Sequence, residues 1–188
     1  SKAYNTISSK SKLSSNYTTQ LVSKLSKTCI EICEGQVNDI KFAENKRIPT
    51  EKEYIKMIEK KTAVLFEVSC AMGAICAKRK QKDVKNLSAF GRNLGIAFQI
   101  TDDLIGNDIR EGKKSLPIIL AIKKARGQNR TKIMRVFGNS GASKQQINLA
   151  VNVIRSLGVE KEVRDIALKY AQRAEKSISS YTGSAKNE

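Results

Sequence analysis

Proline occurs only twice in 188 residues, at Pro49 and Pro117, and this scarcity constrains the fold more than any other feature. Proline breaks a helix because it lacks the N–H and its ring strikes the preceding turn, yet it is tolerated at a helix start. Pro49 lies in ENKRIPTEKEY, which reads as a turn of the chain, and Pro117 sits two residues after Ser115, where a helix begins. Between these points the apolar residues recur at helical spacing, and few runs alternate apolar with polar as a strand would. An all-α chain is expected. With 40% hydrophobic residues it can bury a real core, and one unit over 1–188 is expected, with no repeat and no linker.

Local signals place the helices. The Ser-, Lys-, Asn- and Thr-rich first twenty residues read as a loop or weakly ordered start, and a first helix is expected over 19–43. A long helix over 51–78 follows, opened by a Thr50–Glu53 capping box, and another covers 83–105. Ser115 and Pro117 start a helix to about residue 126; Ser143 and Gln146 open the next, Gly158 closes it, and a last helix spans 160–181.

Several chemistries drop out early. The four cysteines, at 29, 33, 70 and 76, lack C-x-x-C spacing, and without any histidine the usual zinc ligand sets are missing. Reduced thiols and a cytoplasmic setting are expected. No run approaches the roughly 18 apolar residues of a membrane span, and SKAYNTISSKSK has no apolar signal core. The chain starts without methionine, as a chain that has lost upstream residues would. The formal charge of +17 raises nucleic-acid binding as a reading. The lysines and arginines are scattered over polar helix faces, however, and no basic stretch is interleaved with aromatics for base stacking.

Polar residues that fall on apolar stripes mark the candidate chemistry. In the first helix Leu21, Leu25, Cys29, Ile32 and Ile40 form the stripe, and Gln36 and Asp39 fall within it. A buried carboxylate without a partner costs several kcal/mol, so Asp39 calls for a cation or a wet cavity, or else sits at an exposed end of the stripe. In the second helix Tyr54, Ile58, Leu65, Ser69 and Met72 define the inner face, with Lys61 near its centre and Thr62 beside it. Lys61 either snorkels along apolar surface or meets an anion. The third helix gathers Gly91, Gly95, Gln99, Asp102 and Gly106 on one face, where glycine spacing suggests close approach by a helix or ligand. Asp102 and Asp103 lie near its C-terminus, where the macrodipole disfavours negative charge; they are either solvated or held by a cation, for which Mg²⁺ with its waters and phosphate oxygens is suited. Lys113, Lys114 and Ser115 then precede a helix start that favours anions. Carboxylates followed by lysines within fifteen residues suggest a divalent-metal diphosphate site.

Four segments, EGQVNDI (34–40), KKTAVLF (60–66), GRNLGIAFQITDDLIG (91–106) and DIREGKKSLPI (108–118), carry a resemblance. In kind and order they resemble the motifs of trans-prenyltransferases, the polyprenyl and geranylgeranyl diphosphate synthases. The resemblance implies the C-terminal portion of an all-α bundle of the prenyl diphosphate synthase type, whose N-terminal helices lie outside this chain. It implies Mg²⁺-dependent condensation of isopentenyl diphosphate with an allylic diphosphate, commonly in a homodimer, with no nucleic acid involved. Residue by residue, Asp102 matches a metal ligand and Asp103 its neighbour, while Lys61 and Lys113 match lysines that hold the allylic diphosphate. Thr62 and Gln99 match oxygens facing the developing cation, Phe98 the aromatic beside Gln99, and Gln36 and Asp39 a polar pair facing the same cavity.

Departures from the family pattern are equally specific. Position 106 is Gly where the family has a third aspartate, and Gly106 meets Asn107 directly where the family has a flexible loop of its own containing a lysine. The first aspartate-rich motif is not in the chain. A portion of a longer synthase is therefore expected; a non-catalytic subunit of a heteromeric synthase and a basic nucleic-acid-binding module are the competing classes.

Overall fold

A computed structural model describes residues 2–10, 13–45, 47–105 and 112–182. Every regular element among them is helical, as expected. The start is more ordered than its composition suggests: α1 (Lys2–Asn5) runs into a π turn, and α2 (Ser15–Glu44) begins before the expected residue 19. Then come α3 (Glu51–Ile58), α4 (Val64–Cys76), α5 (Gln81–Ile105), α6 (Leu116–Lys124), α7 (Gly127–Val136), α8 (Lys144–Ser156) and α9 (Val159–Thr182).

The expected capping boxes form. Glu53 N–H donates to Thr50 Oγ1 at 3.2 Å while Thr50 N–H donates to Glu53 Oε2 at 2.7 Å, and Ser143 with Gln146 repeats the exchange at the start of α8. Two hydrogen bonds from Arg47 also reach Glu53; with the Thr50 donors they hold its carboxyl down at about 2. Gly158 adopts φ +67 and ends α8, a left-handed position that glycine takes without strain. Helix α7 has no clear sequence signal, because it is short, has no side-chain cap on Arg126 and buries only Ile133 and Val136.

The expected helix over 51–78 is not continuous. Residues Glu59–Ala63 form a π turn between α3 and α4, and its extra residue advances the register by about 100° relative to an unbroken helix. The buried face accordingly switches from Tyr54, Met57 and Ile58 to Val64, Val68, Ala71 and Ile75, leaving Leu65 and Ser69 exposed instead of inward. The α2 stripe also shifts: Leu21, Thr28 and Gly35 are buried, whereas Cys29 and Ile40 are exposed.

Helix α5 packs most extensively against α9 and α4. One core gathers Tyr54, Ile58 and Ala63 with Ile96 and Ile100 of α5 and with α6, which is buried on nearly all sides. Each large apolar side chain so buried contributes roughly 1.5–3 kcal/mol. A smaller core joins Leu21 to Ala71, Ala74, Ile75 and Val84.

Candidate active site

Glycines bring the site together. A Cβ on Gly35 would lie 2.4 Å from the Lys61 backbone nitrogen, and one on Gly95 would lie 2.6 Å from Ala63 Cα. The π turn is therefore gripped between the backbones of α2 and α5, which supports the expectation of close approach at Gly95; Gly91 does the same against the Phe66 carbonyl. Single π turns inside helices recur at functional sites because they re-aim side chains.

Here the turn aims Lys61 at α2 and Thr62 at α5. Lys61 Nζ donates to Asp39 Oδ2 at 2.6 Å, both side chains about one-third exposed, so Asp39 has the cation that its place on α2 required. Lys60 pairs with Glu34 one turn earlier, and that hydrogen bond lowers the Glu34 carboxyl below its ordinary range. Thr62 Oγ1 donates to Gln99 Oε1 at 2.8 Å, and the amide nitrogen of Gln99 donates to Asp103 Oδ1 at 3.0 Å. Asp103 Oδ2 accepts from the Tyr54 hydroxyl at 2.5 Å, and Oδ1 accepts from Lys113 Nζ at 3.1 Å.

Asp103 is thus the inward carboxylate, its side chain only 2% exposed, while Asp102 is exposed and meets Gln99 at 3.4 Å. The helical wheel placed Asp102 on the face of Gln99 and Asp103 away from it; the burial runs the other way. Asp103 continues the buried line Ile96–Ile100 of α5 and stands one turn beyond Gln99, so it reaches both Gln99 and Tyr54. Gly106, the remaining member of the expected glycine face, lies outside the described residues.

Lys113 and Lys114 part company. Lys113 reaches Asp103 with its side chain 45% exposed. Lys114 is 8% exposed and turns to α2, donating to the carbonyls of Phe42 and Asn45. Burial lowers its pKa, and its role is to satisfy the C-terminal carbonyls of α2 rather than to meet phosphate. Ser115 Oγ is buried with no hydrogen-bond partner among the described residues, and the start of α6 is itself buried. Phe98 is 54% exposed and stacks at a tilt on Phe66, with ring centroids 5.4 Å apart. Gln36 is exposed on α2.

Among the expected residues, Asp39, Lys61, Thr62, Gln99, Asp103 and Lys113 are joined by direct or consecutive contacts. Two contributors carry no signal in the sequence patterns above, Gly35 and the Tyr54 hydroxyl, whereas Lys114 is expected at an anion site and instead serves the end of α2. Tyr54 reads as an apolar position on the helical stripe, yet a buried tyrosine hydroxyl requires a partner and so signals a polar group nearby.

This arrangement joins residues of all four sequence segments, and residues 1–154 match the model of the family described as polyprenyl synthetase. The chain belongs to the polyprenyl synthetase family. Within the family it is similar to the geranylgeranyl diphosphate synthase of Saccharolobus solfataricus, 39% identical over 161 residues that cover 78% of this chain and 48% of that protein. The chain spans about half the length of the curated relatives it matches. Among solved structures, geranylgeranyl pyrophosphate synthetase from Pyrococcus horikoshii superposes with a TM-score of 0.86 at 28% identity, covering 95% of this chain and 57% of that one. A Caulobacter crescentus polyprenyl synthase, solved with calcium and isoprenyl diphosphate, superposes at 0.77 with 26% identity, covering 85% of this chain and 52% of that one. The all-α polyprenyl synthetase fold seen here is that of these neighbours.

Proposed function

We propose that this chain supplies one side of a prenyltransferase site that condenses isopentenyl diphosphate with an allylic diphosphate. The observation that carries the reading is the continuous network from Lys61 and Thr62 through Gln99 to Asp103 and Lys113, with Asp102 open beside it. Lys61 and Lys113 would neutralise the departing diphosphate, the largest change of charge in such a step. Thr62 donates to Gln99, which leaves lone pairs on both oxygens available to a developing allylic cation. Asp103 positions Gln99 and Lys113 and is itself positioned by Tyr54.

Mg²⁺ fits the donor set in one way. No group of three metal-ligating side chains occurs among the described residues, but Mg²⁺ commonly uses one or two carboxylates and completes its shell with water and phosphate oxygens. Asp102, exposed and with one long contact among the described residues, would hold it, whereas Asp103 is engaged by three donors. When bound, the ion would offset diphosphate charge as the C–O bond breaks. Self-association as a homodimer is part of the proposal and is supported by exposed Ile30 and Val37 of α2 beside a hollow of about 610 Å³.

The test measures thermal stabilisation of the chain by Mg²⁺ with inorganic diphosphate. Binding to the folded state alone should add about 2.7 kcal/mol at a hundredfold excess over Kd. Asp102→Asn should remove the Mg²⁺-dependent part and Lys61→Ala should weaken the diphosphate response. No shift in the parent chain, or equal shifts in all three proteins, would overturn the assignment.

A further inference from the structure

The charge of the chain is unevenly distributed. Residues 112–159 contain ten lysines and arginines and no aspartate or glutamate, so this quarter of the chain supplies +10 of the net +17. Much of the run is the α7–α8 hairpin. Arg126 and Arg130 there are structural: their guanidinium groups donate to the carbonyls of Lys123, Ala125 and Ile122 at the end of α6. Lys132, Arg135 and Lys144 are exposed, and none of them pairs with a carboxylate among the described residues.

Apolar side chains stand out on the same hairpin, Met134 at 42% and Leu149 at 49% exposure. Between α7 and α8 lies a hollow of about 250 Å³ lined by Gln128, Thr131, Lys132, Arg135, Gln146 and Leu149. Val136 completes the lining, so its walls combine two cations, an uncharged set of hydrogen-bond donors and two apolar side chains. That chemistry suits a phosphate-bearing headgroup whose acyl region meets apolar side chains.

We propose that the α7–α8 hairpin is a docking surface for an anionic lipid bilayer. The cations supply attraction to the surface potential, Leu149 enters the headgroup boundary, and the hollow receives a lipid phosphate. A nucleic acid would use the same cations, but the only aromatic on the hairpin, Phe137, is half-buried and packed against the core, so no stacking platform accompanies them. The inference rests on surface chemistry alone and is independent of the reaction proposed above.

The experiment is co-sedimentation of the chain with phosphatidylcholine vesicles, with and without about 30% phosphatidylserine. Binding should require phosphatidylserine and should collapse between about 0.1 M and about 1 M salt, as the Debye length falls from about 10 to about 3 Å. Each cation at the surface is worth about fivefold in partitioning, so the triple variant Lys132→Glu, Arg135→Glu, Lys144→Glu should lose about 100-fold or more. A control carrying the same charge change at exposed positions, Lys80→Glu, Lys82→Glu, Lys85→Glu, should bind within about threefold of the parent, and circular dichroism confirms that both variants are folded. Leu149→Ser should weaken binding to phosphatidylserine vesicles without changing its salt dependence. Equal binding to neutral vesicles, equal loss in the two triple variants, or displacement from vesicles by equimolar duplex DNA would overturn the proposal.

Discussion

Gly35→Ala tests the crossing on which the site depends, because two physical terms give it opposite signs. By helix propensity alone, alanine in place of glycine inside α2 stabilises by up to about 1 kcal/mol. In the structure the added Cβ would lie 2.4 Å from Lys61 N and 2.8 Å from both Lys60 C and Lys61 Cα, whereas ordinary contact begins near 3.4 Å. All three are backbone atoms and cannot rotate aside, so α2 and the π turn must separate by about 1 Å. A gap of that size forfeits a quarter to a half of each dispersion contact across the crossing, and overpacking of this kind costs about 1–3 kcal/mol. The Lys61–Asp39 pair spans the same crossing, but it is partly exposed and adds at most about 1 kcal/mol. We expect net destabilisation of about 1–3 kcal/mol. Gly73→Ala is the matched comparison, since Gly73 is also helical but, unlike the buried Gly35, is exposed and has nothing within 4 Å of the added Cβ; it should stabilise by about 0.5–1 kcal/mol. Urea denaturation of the two variants measures both signs. If Gly35→Ala stabilises as much as Gly73→Ala does, α2 does not meet the turn at this residue and the placement of Lys61 is wrong.

Two further outcomes follow from the hydrogen bonds. Tyr54→Phe removes a donor from the buried Asp103 carboxylate, and loss of a hydrogen bond to a charged group should lower stability by about 1.5–3 kcal/mol in urea; an unchanged midpoint would mean that Asp103 is not held there. Glu53 has a folded-state pKa of about 2, depressed below its ordinary 4.5, so its contribution is fully present above pH 4.5 and is lost as pH falls toward 2. Glu53→Gln, which keeps the cap but not the charge, should therefore show a smaller fall in Tm between those pH values than the parent chain; parallel curves would exclude Glu53 as a source of the acid sensitivity.

The sequence alone determined what depends on neighbours along the chain. The all-α class, both capping boxes and the glycine end of α8 are set by local propensity and by hydrogen bonds spanning three or four residues, and the structure retains them. The motif residues Lys61, Thr62, Gln99, Asp103 and Lys113 could likewise be named from residue type and order. Their arrangement could not. Whether Asp102 or Asp103 turns inward depends on Tyr54, 49 residues from Asp103, and the side to which Lys114 turns depends on carbonyls of α2 about 70 residues away. The phase of α4 depends on a π turn that no local propensity demands; the backbones of Gly35 and Gly95 press on it from two other helices. A helical wheel treats each helix as a separate straight rod, so it carries no information about which turn will be distorted by contact. That distortion is a property of packing, and it is packing that aims Lys61 at Asp39 and Thr62 at Gln99.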